Sequence, residues 1–285
     1  MILGALYGNA MLAGAAIAAA AGLLGYFVVI RSQVLAGDAL SHVAFTGTIA
    51  AALAGVDVRI GLFAAVASVA LLFGGLSERL QHGDVAIGVV FAWVLGLGAL
   101  CLELVQRSSR GVDGAISART LFGSVFGLTS TDVAIDVAIS ASVIVVGIVI
   151  ARPLLFATIA PGVASARGVP IRLLGTVLLV LVAATAGEAT QAVGSLLFLA
   201  LLAVPAGAAL RLTSSPIRGL ILSMGFAVTA MVGGVGVAVL WPSIPPSSAV
   251  CGIAVGIYAA AMIFGSATVR ARAVQHHVVA RNRIP

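Results

Sequence analysis

An aspartate and a histidine four residues apart, Asp38 and His42 in the run Gly37-Asp38-Ala39-Leu40-Ser41-His42, are the residues of this sequence best placed to do chemistry. On an α-helix that spacing stacks both side chains on one face, a turn apart. Thr46 continues the face by another turn and Ser41 lies on its flank. The run opens an apolar stretch, and a central Asp in a membrane span costs roughly 2.5–3.5 kcal/mol on insertion scales. A divalent cation offsets such a cost: imidazole suits zinc and other transition ions, and carboxylate suits manganese as well. The structural alternative makes Asp38 the N-cap of a helix, its carboxylate bonded to the amides of the first turn, and His42 a satisfied histidine inside a bundle.

The elements that must position these residues are membrane spans. Of the 285 residues, 61% are hydrophobic and only 8% charged, with a mean hydropathy of +1.22. This is the composition of an all-α, polytopic membrane helical bundle, with about eight or nine transmembrane helices in a single transmembrane domain spanning the whole chain. Apolar runs lie at 10–30, 39–55, 60–76, 85–105, 133–150, 171–187, 192–210, 219–240 and 248–266, separated by breakers such as Gly55-Val56-Asp57, Arg152-Pro153, Pro161-Gly162 and Ser214-Ser215-Pro216. The first run has no basic segment before it and is too long for a signal-peptide core, so it reads as a retained span. Counting arginines in alternate gaps gives eleven against four, which puts the C-terminus, the connection 151–170 and the basic tail 267–285 in the cytoplasm.

All 15 basic residues are Arg. Without Lys the chain has no nucleotide-binding P-loop of its own, so any ATP-driven step belongs to a partner chain. The arginines occupy the gaps between spans, which speaks for membrane orientation and against nucleic acid. Cys101 and Cys251 lie in apolar segments and read as buried free thiols. There is no His-Glu-x-x-His and no Gly-x-Ser-x-Gly, so an intramembrane enzyme has no support. An ion-coupled secondary transporter using Asp38 and His42 as a proton relay remains open, although no internal repeat stands out.

Other polar residues carry weaker expectations. Glu188 falls in a short external turn with Thr190 and Gln191; it reads as an exposed turn residue, or alternatively as a ligand at an outer gate. Glu103, near the outer end of the fourth span, is ambiguous in the same way. Asp132 and Asp136 read as caps of the fifth span, and His82 with Glu78 and Asp84 as a solvated charged turn. Within the external loop 106–132, residues 121–127 read as an interfacial or re-entrant helix. His276-His277 is a poor metal pair, because adjacent side chains do not share a helix face. Gly4–Gly8, Gly123–Gly127 and Gly252–Gly256 have small-xxx-small spacing, expected to serve close packing within the bundle, with a dimer face as the alternative.

Three segments together resemble the permease subunits of ATP-binding-cassette importers for zinc, manganese and iron. They are Gly37-Asp38-Ala39-Leu40-Ser41-His42 with the helix that ends near Gly55; Asp84-Val85-Ala86-Ile87-Gly88-Val89-Val90-Phe91; and the stretch from Ala166-Arg167-Gly168-Val169-Pro170-Ile171-Arg172 through Ala192-Val193-Gly194-Ser195-Leu196-Leu197 to Ala203-Val204-Pro205-Ala206. The likeness extends over nearly the whole chain, from about residue 10 to about residue 266. Thr46-Gly47 stands where the family usually has Pro-Gly, and Ala160-Pro161-Gly162 where it usually has an acidic start.

The resemblance implies a fold like that of the vitamin B12 and iron-chelate importer permeases. It also implies a transport subunit of the inner or plasma membrane rather than an enzyme. Such a subunit forms a two-fold permease dimer with cytoplasmic ATP-binding subunits and receives its ion from an extracytoplasmic metal-binding protein. No permanently bound cofactor is implied; the divalent metal (Zn, Mn or Fe) is cargo. Asp38 and His42 would be its ligands, with Ser41, Thr46 and Glu188 as possible polar residues of the pathway. Ala164, Ser165, Ala166, Arg167 and Gly168, within the coupling segment 160–170, would dock in a groove of the ATPase.

Overall fold

The computed structural model describes residues 2–76, 83–107, 127–241 and 243–281, and among them every regular element is an α-helix. In chain order these are α1 (Ile2–Ile30), α2 (Val34–Ala54), α3 (Val58–Leu76), α4 (Gly83–Arg107), α5 (Ser130–Ile159), the short α6 (Pro161–Ala166), α7 (Ile171–Ala192), α8 (Ser195–Leu212), α9 (Pro216–Leu240) and α10 (Pro246–Arg281). Nine of the described helices, all but α6, are long and apolar enough to cross a membrane. In hydrocarbon every backbone N–H and C=O must find its partner within the segment, which is why apolar runs of this length become helices.

Some boundaries differ from those read off the sequence, each for a local reason. The helix α2 starts at Val34, with Gln33 as its N-cap. The turn before it closes with Gln33 N–H donating to Val28 O and with Ser32 at a φ of 54°, the left-handed residue of a Schellman-type stop. Asp38 therefore lies more than a turn inside the helix and is not its N-cap. Arg152-Pro153 does not end the fifth span: α5 runs for 30 residues with Pro153 inside it. A single proline removes one hydrogen bond, which a long helix packed among neighbours tolerates. The C-terminal strip from residue 267 continues α10 as helix to Arg281. Glu78, His82 and residues 121–126 lie outside the described residues, as do the side chains of Asp84, His276 and His277.

The core is centred on α1, α2 and α7, whose apolar windows are 72%, 67% and 67% buried, whereas that of α4 is 11% buried. α1 packs on α9, α5 and α8, and α2 on α3 and α4. Backbones approach closely where glycine allows it. A Cβ at Gly25 would fall on the carbonyl oxygen of Leu202 in α8, and Gly47 of α2 faces Gly61 of α3. The spaced glycines of the sequence are not those contacts: Gly8, Gly252 and Gly256 have open space where a side chain would go. Small-xxx-small spacing records only that a face is smooth; which smooth face meets a neighbour is decided by the bundle.

Candidate metal pathway

Asp38 and His42 share one face of α2, with His42 Nε2 3.8 Å from Asp38 Oδ1 and the two side chains 17% (His42) and 24% (Asp38) exposed. That separation is too long for a hydrogen bond. It leaves both groups with donor capacity for a third body between them. The His42 ring lies against Phe91 of α4, with centroids 5.3 Å apart and planes tilted by 49°. Phe91 thus covers one side of the imidazole.

The neighbouring hydroxyls are engaged locally. Ser41 Oγ donates to Asp38 O at 2.7 Å, and Ser41 is fully buried. Thr46 Oγ1 donates to Val94 O at 3.2 Å, which ties α2 to α4. Among the described residues no cluster of three or more His, Cys, Asp or Glu forms a metal site. Among the described residues this face therefore brings together one carboxylate and one imidazole, without a third such group.

Arg31 Nη1 donates to Thr158 Oγ1 at 3.3 Å, joining the turn before α2 to the end of α5. The Asp38–His42 face is thus near the end of the bundle that carries α6. In α6 itself Pro161 supplies the first helical residue, and Arg167 caps the C-terminus. Gly168 follows at a φ of 76°, a left-handed conformation that glycine adopts without strain and that turns the chain back towards α7. Ala164 is fully buried against the core, while Val163 is 53% exposed. Ser165, Ala166, Arg167 and Gly168 are also exposed, and the Arg167 guanidinium lies over Phe156 at 6.0 Å. The helix is anchored by one small residue and shows its remaining surface outward.

At the opposite ends of α5 and α7 the structure corrects two expectations. Glu188 is not an exposed turn residue: α7 extends to Ala192, and Glu188 is 2% exposed, with Ser140 Oγ donating to its Oε2 at 3.0 Å. Asp136 is not a cap: it is 4% exposed inside α5, and the capping box is made by Thr129 and Asp132. Asp132 also pairs with Arg59, whose Nε donates to Gln191 Oε1 at 3.2 Å. A cavity of about 560 Å³ opens at this end, bordered by Asp57, Arg59, Leu128, Asp132 and Gln191. Glu103 is exposed and takes a 2.8 Å bond from Arg107 Nε a turn further on. The acid pair was missed because its members lie 52 residues apart in sequence, and the polar run Gly187–Gln191 resembles a turn.

The sequence was compared with known proteins and structures. The ABC 3 transport family matches residues 5–265. The manganese transport system membrane protein MntC of Halalkalibacterium halodurans is 30% identical over 244 residues, covering 85% of this chain and 82% of that protein. The manganese import system permease protein ScaB of Streptococcus parasanguinis is 28% identical over 228 residues, 79% of each chain. Among solved structures, PsaBC from Streptococcus pneumoniae in complex with Fab superposes with a TM-score of 0.77 at 24% identity, over 89% of this chain and 90% of that one. An inward-facing metal-chelate type ABC transporter gives 0.71 at 17% identity, over 90% and 85%. At these identities the solved structures establish the fold, that of an ABC-transporter permease. The match over nearly all of the described spans places the chain in the ABC 3 transport family as a multi-pass membrane protein.

Proposed function

We propose that this chain is the membrane-spanning permease subunit of an ATP-driven importer that passes a divalent transition metal, with manganese the first candidate. The carrying observation is the Asp38–His42 pair, 3.8 Å apart on one face of an otherwise apolar, largely buried helix. The relatives named as manganese transport or import proteins support the choice of ion. Ionised Asp38 and neutral His42 give one negative charge per chain, so two copies across a dimer axis match a divalent ion. Two ligands per chain, short of a closed cage, also let the ion leave, as transport requires.

ATP hydrolysis belongs to a partner chain that docks on residues 164–168, and an extracytoplasmic protein delivers the ion. The C-terminus is cytoplasmic on the arginine count. Nothing in the structure favours the ion-coupled alternative. The test is manganese uptake by cells producing Asp38→Ala or His42→Ala variants at normal level. Each substitution is expected to reduce uptake to background with the protein still assembled, and normal uptake by Asp38→Ala ends the reading.

A further inference from the structure

Asp136, Ser140 and Glu188 lie apart from the Asp38–His42 face, and Asp136 and Glu188 are the two buried acids among the described residues. Asp136 and Ser140 are four residues apart on α5 and share a face. Ser140 reaches Glu188 of α7 at 3.0 Å, so Glu188 stands against the α5 face that Asp136 occupies about one turn, roughly 6 Å, further along. Asp136 is 4% exposed, Glu188 2% and Ser140 fully buried. Each acid keeps an oxygen without a partner, Asp136 Oδ2 and Glu188 Oε1. An orphaned polar oxygen away from water is costly, and a bound cation satisfies both at once. Arg59, the guanidinium at this end of the helices, is engaged by Asp132 and Gln191.

We propose that Asp136, Ser140 and Glu188 form a second binding site for a divalent metal cation, made of oxygen donors alone. Two carboxylates match the charge and the hydroxyl oxygen adds a third donor. Such a set suits manganese, magnesium or calcium better than zinc. The cavity bordered by Arg59, Asp132 and Gln191 lies at the same end of α5 and α7. From Asp136 to the end of α5, where α6 begins, is about 35 Å at the helical rise. Asp38 and His42 lie towards that other end, so the chain carries two cation sites at two depths. The existence of the second site stands apart from the transport reading; its place as the outer of two stations rests on it.

The experiment is Mn²⁺ binding by equilibrium dialysis to the full chain in lipid nanodiscs, comparing wild type with Asp136→Asn, Glu188→Gln and Asp38→Ala. Asn and Gln keep the volume of the acids, and Glu188→Gln keeps an oxygen for Ser140. Wild type is expected to show two classes of site. Asp136→Asn and Glu188→Gln weaken one of them at least tenfold, and Asp38→Ala removes the other. Wild-type binding by both Asp136→Asn and Glu188→Gln overturns the proposal and leaves the Asp38–His42 reading intact. Loss of a site in Glu188→Gln but not in Asp38→Ala supports the second site and sinks that reading. Infrared difference spectra of wild type provide a check that needs no variant. Mn²⁺ is expected to abolish any protonated-carboxyl band that Glu188→Gln lacks; such a band surviving saturating Mn²⁺ means the acids hold a proton only, and overturns the proposal.

Discussion

At the scale of single residues, the polar stripe of α2 divides into hydroxyls tied to backbone carbonyls and an acid–imidazole pair standing 3.8 Å apart. Ser41 and Thr46 both donate to backbone carbonyls, one within its own helix and one across to α4, so their hydroxyl protons serve the scaffold. Asp38 and His42 hold back their charge and lone pair. The stripe was legible from spacing alone, since i and i+4 fix a common face on any helix. Which members are engaged depends on Val94, which only tertiary contact brings near. Arg167 is a second residue whose exposure matters, because its guanidinium lies over the Phe156 ring at 6.0 Å on an exposed part of the surface. Arg167→Glu is expected to lower transport-coupled ATP hydrolysis by the assembled complex several-fold. Unchanged hydrolysis in a complex of normal composition would remove Arg167 from the docking surface.

At the scale of elements, the central helices meet through small residues, and α4 is held chiefly by α2. Between α1 and α8 there is no room for a side chain at Gly25, where a Cβ would overlap the Leu202 carbonyl oxygen. Backbone, unlike the end of a flexible side chain, cannot swing aside. Gly25→Val is therefore expected to destabilise the bundle by about 1–3 kcal/mol, the usual cost of overpacking. The readout is a lower thermal midpoint of monodisperse protein on heating followed by size exclusion. A midpoint equal to wild type would show that this crossing is looser than it looks. Gly252→Val, at a position facing open space, is the matched control and should leave the midpoint in place. Hydropathy could not rank these glycines, because all of them lie in smooth apolar runs.

At the scale of the whole molecule, the two ends of the bundle differ in kind. One carries the Arg31–Thr158 contact, α6 and the Asp38–His42 face; the other carries Arg59, Asp132, Gln191 and the open cavity they border. On the arginine count we propose that the first end is cytoplasmic. That assignment is checked by replacing Cys101 and Cys251 with Ser and placing a single cysteine at Ser165 or at Leu128. A membrane-impermeant thiol reagent applied outside intact cells should label the Leu128 position and spare the Ser165 position. The opposite pattern reverses the orientation and with it the direction proposed for the ion.

The amino-acid sequence by itself determined the class of molecule. Apolar runs of near-bilayer length have one stable form in hydrocarbon, so the number and approximate place of the spans follow from composition, and the face shared by Asp38 and His42 follows from helical period. The absence of Lys likewise settled that a nucleotide-binding P-loop is not on this chain. Helix ends were less legible: Arg152-Pro153 and Gly187–Gln191 look like breaks, yet α5 continues because a long helix tolerates the loss of one hydrogen bond at Pro153, and α7 continues where Gly187–Thr190 are buried among its neighbours. The tertiary structure alone decided which polar residues meet. Asp136 and Glu188 come from helices distant in sequence, and their burial, the bond from Ser140 to Glu188 and their unpartnered oxygens are properties of how those helices pack. Local periodicity encodes a face, but only the assembled bundle decides what that face encounters.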